Sequence, residues 1–246
     1  MMLDDILASL FPNGSKIATT GAMIAGQAIL PDGGRVHVLG ITQGQPLGVD
    51  DAIALAGHVI EIVKSGDRAP ILVLVDSASQ RMSKRDELLG LSEYLSHLAK
   101  ALLLAEAEGH RTVGLLYGGS AAGAFIATAL ATATLVALPG AHPAVMDLPS
   151  MARVTKLPID VLKAKAEATP VFAPGLDNMV QTGGIHAVWD ENTPLAPQLA
   201  AVLQRPQGQD DRARLGAERG GRRKAAEIAD RVVTLAAAAH QGAPHG

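Results

Sequence analysis

The chain has 246 residues, of which 48% are hydrophobic and 18% are charged. This balance excludes disorder over most of the length, and a net charge of −3 argues against a domain that binds nucleic acid across its surface. The absence of cysteine excludes disulfides, thiolate metal sites and a cysteine nucleophile.

The first quarter of the sequence predicts a helix, a β-hairpin and a second helix. Residues 3–10 form the first helix, which begins at an aspartate. Residues 15–41 alternate as strands do, and Pro31–Gly34 supplies a hairpin turn. Asp50 is expected to cap the second helix, which ends at Gly66. The apolar stripe predicted for that helix is Ile53, Ala56, Ile60 and Val63.

The middle of the sequence predicts strands that alternate with helices. Residues 71–76 are apolar on both faces, as in a buried strand, and a polar loop follows them. Residues 85–108 predict a long helix, and residues 113–117 the next buried strand. A helix over 121–132 and a strand over 134–138 complete the series. The buried stripe predicted for the long helix is Leu88, Leu91, Leu95, Leu98 and Leu102. This order predicts an α/β domain with largely parallel strands.

The C-terminal part of the sequence differs in character. It is polar from residue 205 to about residue 221 and then predicts a last helix with one apolar face. We therefore expect one domain over residues 1–204. Residues 205–246 are expected to form a polar linker and an amphipathic helix that packs on the same domain or on a partner. The apolar face of that helix is Ile228, Val232, Leu235 and Ala239.

The stretch from residue 121 to 138 is uncharged and reaches the lower length limit of a membrane span. Its Ala and Thr content and the following Pro139-Gly140 favour a buried helix and a buried strand instead. The first ten residues show no basic secretory region. We expect no membrane association and a cytoplasmic location.

The segment TVGLLYGGSAAGAF carries the strongest functional signal. A buried strand enters Gly118 and Gly119, and an apolar helix follows. The backbone N–H groups of Gly119, Ser120 and Ala121 are expected at a helix N-terminus, unpaired and electropositive. Glycines here and at Gly123 allow a ligand to come close. The segment therefore suits an anion or a developing oxyanion, and the competing interpretation is a tightly packed turn.

This segment departs from two known motifs and nearly matches a third. The dinucleotide fingerprint fails at Ser120, and the phosphate-binding P-loop lacks its Gly-Lys-Ser/Thr. The nucleophile elbow G-x-S-x-G is nearly matched but ends in Ala122. That match keeps open a serine hydrolase of the α/β class, with Ser120 as the nucleophile. Its partners would be His186 or His240 and an aspartate such as Asp177.

The wider pattern resembles a known family. The run APILVLVDSASQ, a helix of about 24 residues and then RTVGLLYGGSAAGAF resemble the carboxyltransferase branch of the crotonase superfamily. Residues 176–194 resemble a later element of that branch. The length and the segment VHVLGITQGQPLG are most similar to the gamma subunits of biotin-independent malonate decarboxylases. The resemblance covers residues 15–204. It implies an α/β, crotonase-like fold of the carboxyltransferase type, with repeated ββα units and a C-terminal helix.

The resemblance also implies a function. The chain would decarboxylate a malonyl thioester through an oxyanion-stabilised enolate, together with a homologous beta subunit in a hetero-oligomer. The substrate would arrive on the phosphopantetheine-type arm of an acyl carrier protein, and this chain would bind no cofactor itself. An alternative is a non-catalytic scaffold subunit of the same complex. The implied catalytic positions are Gly118, Gly119, Ser120 and Ala121. The implied substrate-binding positions are Ser77, Ala78, Ser79, Tyr117 and Gly123.

One departure from the family pattern concerns biotin. Carboxyltransferases of this branch show G-G-S-G-G, whereas this chain has Ala121 and Ala122 at the last two positions. We expect these methyl groups to narrow the space that would admit the ureido ring of biotin. This expectation agrees with a decarboxylase that works without biotin.

A few polar residues remain open to two interpretations. His142 and His186 are either site residues or structural histidines. Arg81, Lys84 and Arg85 either meet a carboxylate or an acidic carrier protein, or form a solvated helix start. No set of histidines and carboxylates has the spacing of metal ligands, so we expect no metal.

Overall fold

The computed structural model describes residues 1–169, 174–206 and 210–241. Within them a seven-stranded mixed sheet forms the centre, and two further strands form a small second sheet. The strands are β1 Ser15–Thr20, β2 Met23–Ile29, β3 Arg35–Leu47, β4 Ile71–Gln80, β5 Thr112–Leu116, β6 Gly119–Ala121, β7 Thr134–Ala137, β8 His142–Ala144 and β9 Ala187–Val188. The helices are α1 Leu3–Leu10, α2 Val49–Lys64, α3 Lys84–Leu88, α4 Leu91–Ala107, α5 Ala122–Ala127, α6 Leu148–Thr155, α7 Ile159–Ala168, α8 Leu176–Gln181, α9 Leu195–Leu203, α10 Arg212–Glu218 and α11 Ala225–Gln241.

The large sheet has the strand order β1-β2-β3-β4-β5-β7-β9. The first three strands pair antiparallel and the rest pair parallel. Alternating residues of β4 point to two separate cores, with Val73 in one and Leu74 in the other. Helices α2 and α4 cover the first core, and α1 and α9 cover the second. The predicted α/β class with buried parallel strands is confirmed.

The predicted stripe of α2 is partly wrong. The helix begins after Gly48, whose N–H donates to the Asp51 carboxylate at 2.9 Å, so Asp50 is not the cap. Its buried face is Val49, Ala52, Leu55, Ala56 and Val59. Ile53 is 43% exposed, because it lies at the margin of this buried face.

The predicted long helix is two helices. Gly90 has φ +85°, which ends α3 and restarts the chain as α4. Leu88 is 77% exposed on α3, whereas the four later leucines of the predicted stripe are buried on α4. The polar loop predicted after residue 76 is also wrong, since β4 continues to Gln80.

The uncharged stretch from residue 121 to 138 contains a helix and a strand, as predicted, although α5 ends at Ala127. In the part of the chain that the structure describes, every helix is too short or too polar to span a lipid bilayer.

The predicted C-terminal helix is present as α11. The predicted linker before it is not purely irregular, because it contains α10. Behind α10, the Arg219 guanidinium donates to the carbonyl oxygens of Val180, Ile185 and His186 at 2.7–2.8 Å. These bonds anchor residues 212–219 on the main body, so the boundary after residue 204 stays a prediction.

Candidate functional site

The site predicted from the sequence lies where two neighbouring parallel strands end. The last residues of β4, 76–80, run beside the segment 118–123 that follows β5, and we call this region the β4/β5 junction. Carboxyl ends of parallel strands are the usual position of ligand sites in α/β folds. The structure therefore brings together the two segments that were predicted separately.

Three hydrogen bonds join the two sides of the junction. The Asp76 carboxylate accepts from the Gly119 N–H at 3.0 Å, and the Gln80 side-chain oxygen accepts from the Gly123 N–H at 2.8 Å. Between them the hydroxyl oxygens of Ser77 and Ser120 lie 2.9 Å apart, both on buried residues. Each pair is separated by 43 residues, so the two segments align in one register.

The glycines of the junction are in close contact with protein atoms. A Cβ on Gly118 would lie 2.1 Å from the Asp76 carboxylate. A Cβ on Gly119 would lie 2.8 Å from the His142 ring and 2.9 Å from the Ser77 carbonyl oxygen. Their φ angles are not positive, so close approach and not backbone conformation demands glycine. This geometry fits the packed-turn interpretation as well as the ligand interpretation.

The expectation of unpaired amides at a helix N-terminus is wrong for Gly119. Its N–H is engaged by Asp76, and residues 119–121 form β6, which pairs parallel with β8. The helix begins only at Ala122 and has six residues. The reason is the Asp76 carboxylate, which stands at the end of the adjacent strand and accepts the amide that was expected to be free.

Ser120 lacks the partners of a hydrolase nucleophile among the described residues. Its hydroxyl meets Ser77, while the ring nitrogens of His186 bond to Leu135 and to Asp211, each at 3.1 Å. The Leu135 N–H donates to Nδ1, so the proton of neutral His186 lies on Nε2 and points to Asp211. Burial lowers the pKa of His186. The carboxylate beside His186 is thus not Asp177, and the side chain of His240 lies outside the described residues.

Tyr117 precedes the glycine pair, and its side chain packs beside the second core. Its hydroxyl is buried with no hydrogen-bond partner in the described part of the chain. Burial raises the pKa of this phenol, and the nearby Asp76 charge raises it further. Of the remaining predicted binding positions, Ala78 is exposed, and the Ser79 hydroxyl donates to the Gln80 carbonyl at 3.0 Å.

The basic residues after β4 are largely neutralised. Arg81 pairs with Asp51 at 2.8 Å, and Arg85 pairs with Asp50 at the same distance. Lys84 is exposed and makes no ion pair with a described residue. The interpretation as an acidic-partner site is therefore weakened, because aspartates of this chain already meet both arginines.

His142 stands at the edge of the junction. Its ring is exposed, with Nδ1 3.3 Å from the Gly140 carbonyl oxygen and Nε2 beside Gly119. Sequence reasoning named this histidine as a candidate but missed the roles of Asp76 and Gln80. Their only signal was a polar residue where an apolar strand ends.

Comparison with known proteins gives the family. The family model described as malonate decarboxylase gamma subunit matches residues 42–236, which includes the whole junction. The chain belongs to the malonate decarboxylase gamma subunit family. A curated relative, the malonyl-S-ACP:biotin-protein carboxyltransferase MADD of Malonomonas rubra, is 26% identical over 196 residues. That alignment covers 72% of this chain and 67% of the relative.

Solved structures show the fold. This chain resembles a Pseudomonas malonate decarboxylase hetero-tetramer in complex with coenzyme A, with a TM-score of 0.80, 22% identity, and coverage of 94% of this chain and 98% of that chain. The Pseudomonas MdcD-MdcE hetero-dimer gives a TM-score of 0.74 at 23% identity and covers 94% and 97%. Transcarboxylase 12S gives 0.67 at 15% identity and covers 84% and 41%. The predicted crotonase-like, carboxyltransferase-type fold is confirmed.

Among the described residues, no group of three or more histidine, aspartate or glutamate side chains is placed to hold a metal ion. The catalytic and substrate-binding roles assigned to individual junction residues remain predictions.

Proposed function

We propose that this chain is one subunit of a malonyl-thioester decarboxylase that is active only with a homologous second subunit. The observation that supports this proposal most strongly is the match to the malonate decarboxylase gamma subunit family over residues 42–236. Two similar proteins support a more specific choice of substrate and partner. The Malonomonas relative is named for malonyl-S-ACP, and the Pseudomonas protein is a hetero-dimer of MdcD and MdcE. We therefore propose a malonyl group on an acyl carrier protein as the substrate.

The proposed reaction needs few groups from the protein. The bond between the methylene carbon and the carboxylate breaks, and its electron pair enters the thioester as an enolate. Carbon dioxide leaves, and the enolate carbon takes a proton to give the acetyl thioester. The enzyme must stabilise the enolate oxygen, and one positioned donor for such an oxyanion is typically worth about 10²–10³ in rate.

We place the reacting thioester against the segment Gly118–Ala121. Asp76 holds the Gly119 amide, so that amide is not a free donor while this bond persists. Asp76 and Gln80 act instead as positioning residues, because each fixes one end of the 119–123 turn from the neighbouring strand. Tyr117, with its buried neutral phenol, is proposed to border the thioester.

The second subunit is proposed to cover the apolar surface beside the junction. Four large apolar side chains are exposed on the elements that leave the two junction segments. They are Met82 at 78%, Leu88 at 77%, Leu89 at 48% and Ile126 at 49% exposure. Exposed apolar side chains on consecutive elements are typical of a protein interface. Such a partner would close the site and exclude water from it.

A scaffold role without catalysis is the second candidate function. The Gly119 amide and the Ser120 hydroxyl are both satisfied inside the chain, which favours a subunit that only shapes a pocket of its partner. Substitutions at the junction separate the two candidates. They should abolish turnover without loss of the complex if the junction lines the site.

We propose that this chain differs from its curated relative in the acceptor of the carboxyl group. The relative is named for transfer to a biotin protein. Ala122 adopts φ +50°, a left-handed conformation that usually favours glycine, at the last position of the G-G-S-A-A motif. The side chain retained there supports our proposal that carbon dioxide is released without biotin.

The test is a co-expression experiment. The chain is purified alone and with its homologous subunit, and each preparation receives malonyl-loaded acyl carrier protein. We expect carbon dioxide and the acetyl carrier from the pair, little turnover from either subunit alone, and no carboxylation of an added biotin carrier protein. Full activity of the single chain, or transfer to biotin in place of release, would overturn the proposal.

A further inference from the structure

Two basic clusters of the chain, one after β4 and one before α11, differ in whether carboxylates pair with them. Both arginines of the first, at positions 81 and 85, pair with Asp51 and Asp50. The second is the run Arg222-Arg223-Lys224, directly before α11. All three of its side chains are exposed, and no carboxylate of the described residues forms an ion pair with them. This run thus places three unpaired positive charges side by side on a protein with a net charge of −3.

The position of this run raises its electrostatic cost. Three cations stand at the N-terminal end of α11, where the helix dipole disfavours positive charge. Their neighbour Arg219 is not part of the free charge, because it donates to three carbonyl oxygens of the main body. The three unpaired cations therefore follow a segment that Arg219 fixes to the main body.

An apolar stripe continues directly from the cations. Ile228, Val232 and Leu235 follow one another at helical spacing and are 57–60% exposed. A shallow, open depression is lined both by the three cations and by Ile228, so the charge and the stripe are contiguous. We call these six residues, 222–224, 228, 232 and 235, the C-terminal face.

We propose that the C-terminal face is the docking surface for the acidic acyl carrier protein that brings the malonyl group. Charge complementarity carries this choice, since three unpaired cations beside an apolar stripe match a partner with acidic side chains around an apolar helix. The proposal rests on the proposed function and names where its protein-bound substrate is recognised. The homologous subunit is instead assigned to the apolar surface beside the junction.

The experiment uses the complex of both subunits and two substrates. One is malonyl-loaded acyl carrier protein, and the other is malonyl-pantetheine, which has the same thioester but no protein. In the variant complex Arg222→Glu, Arg223→Glu and Lys224→Glu are combined. We expect KM for the carrier substrate to rise about tenfold or more, with kcat and the turnover of malonyl-pantetheine unchanged. The wild-type KM should also rise with ionic strength.

A matched control reverses three exposed cations elsewhere, with Arg153→Glu, Lys156→Glu and Lys163→Glu. It makes the same change in net charge and should leave KM for the carrier unchanged. Thermal unfolding of both variant complexes shows that they remain folded.

Three results would overturn the docking proposal. They are an unchanged KM in the first variant, an equal rise in the control, and loss of the homologous subunit or of a second copy of this chain from the first variant complex. The last result would make the face a subunit interface. Failure of the wild-type complex to release carbon dioxide from malonyl-loaded acyl carrier protein would instead refute the proposed function, so the two failures are distinguishable.

Discussion

The β4/β5 junction and the C-terminal face are opposites in how their polar and apolar groups are satisfied. At the junction, Asp76, Ser77 and Gln80 each meet a group 43 residues away within the same chain. At the C-terminal face, three cations and three apolar side chains are exposed. The chain therefore builds the first region by itself, whereas the second presents groups that a partner would satisfy.

This difference bears on how each region responds to substitution. Changes at the junction remove internal contacts and are expected to alter stability and turnover together. Charge reversal at the C-terminal face breaks no ion pair among the described residues and is expected to alter association more than stability. The anchor between the main body and the C-terminal face, Arg219, belongs with the junction in this respect.

The largest stability effect is expected at that anchor. Arg219→Ala leaves the carbonyl oxygens of Val180, Ile185 and His186 without their donor and should lower the free energy of unfolding by roughly 3 kcal/mol. Denaturant unfolding of the purified chain measures this change in the free energy of unfolding. Arg223→Ala is the matched control, with a change near zero. Equal effects of the two variants would remove the contrast between anchored and unpaired arginines.

A smaller effect is expected for Ser120→Ala. The substitution leaves the buried Ser77 hydroxyl without its partner and should cost about 1 kcal/mol in stability. Activity of the two-subunit complex should fall by no more than about tenfold, since the backbone amide is kept. Adding Ser77→Ala should cost less than the sum of the single changes.

A loss of about 10⁴-fold in activity, or labelling of Ser120 by a serine-directed phosphonate, would instead support a nucleophile. The reaction at the junction would then depend on the Ser120 hydroxyl as a nucleophile and not on the backbone of the turn.

The smallest effect concerns the pH dependence of stability. Burial lowers the pKa of His186 below its ordinary value of 6.5, so the unfolded chain binds a proton there that the folded chain does not. The contribution of His186 to the free energy of unfolding is fully present above pH 6.5 and declines as the pH falls toward the lowered pKa. Unfolding measured between about pH 5 and pH 7.5 should show a steeper acid loss for wild type than for His186→Gln. An equal pH dependence of the unfolding free energy in wild type and His186→Gln would contradict the lowered pKa of His186.

The sequence was informative where local patterns decide the structure. The run of residues 71–76 predicts a buried strand because both of its faces are apolar, and β4 contains it. The start of α2 was misplaced because its cap is Gly48, which has no side chain to signal it. The break at Gly90 was missed because the leucine periodicity continues almost unchanged across it.

The candidate site shows the same limit more clearly. Residues 118–121 were found from their composition, but the partner of the Gly119 amide lies 43 residues earlier. No local pattern shows that Asp76 accepts this particular bond. Likewise, the sequence shows two basic clusters, and only the fold shows that Asp50 and Asp51 neutralise one of them.

The central claim, that the junction lines the site of decarboxylation, is tested most directly by Gly119→Val in the two-subunit complex. The new side chain would press on the His142 ring and the Ser77 carbonyl and so displace the segment against which the thioester is proposed to lie, whereas the matched Gly140→Val adds its side chain in open space. Carbon dioxide release from malonyl-loaded carrier protein is measured beside the yield of co-purified partner. The account predicts that Gly119→Val abolishes release while the complex is still recovered, and that Gly140→Val changes neither. Normal release by Gly119→Val would contradict the claim, and loss of both release and complex would leave the glycine a packing role alone.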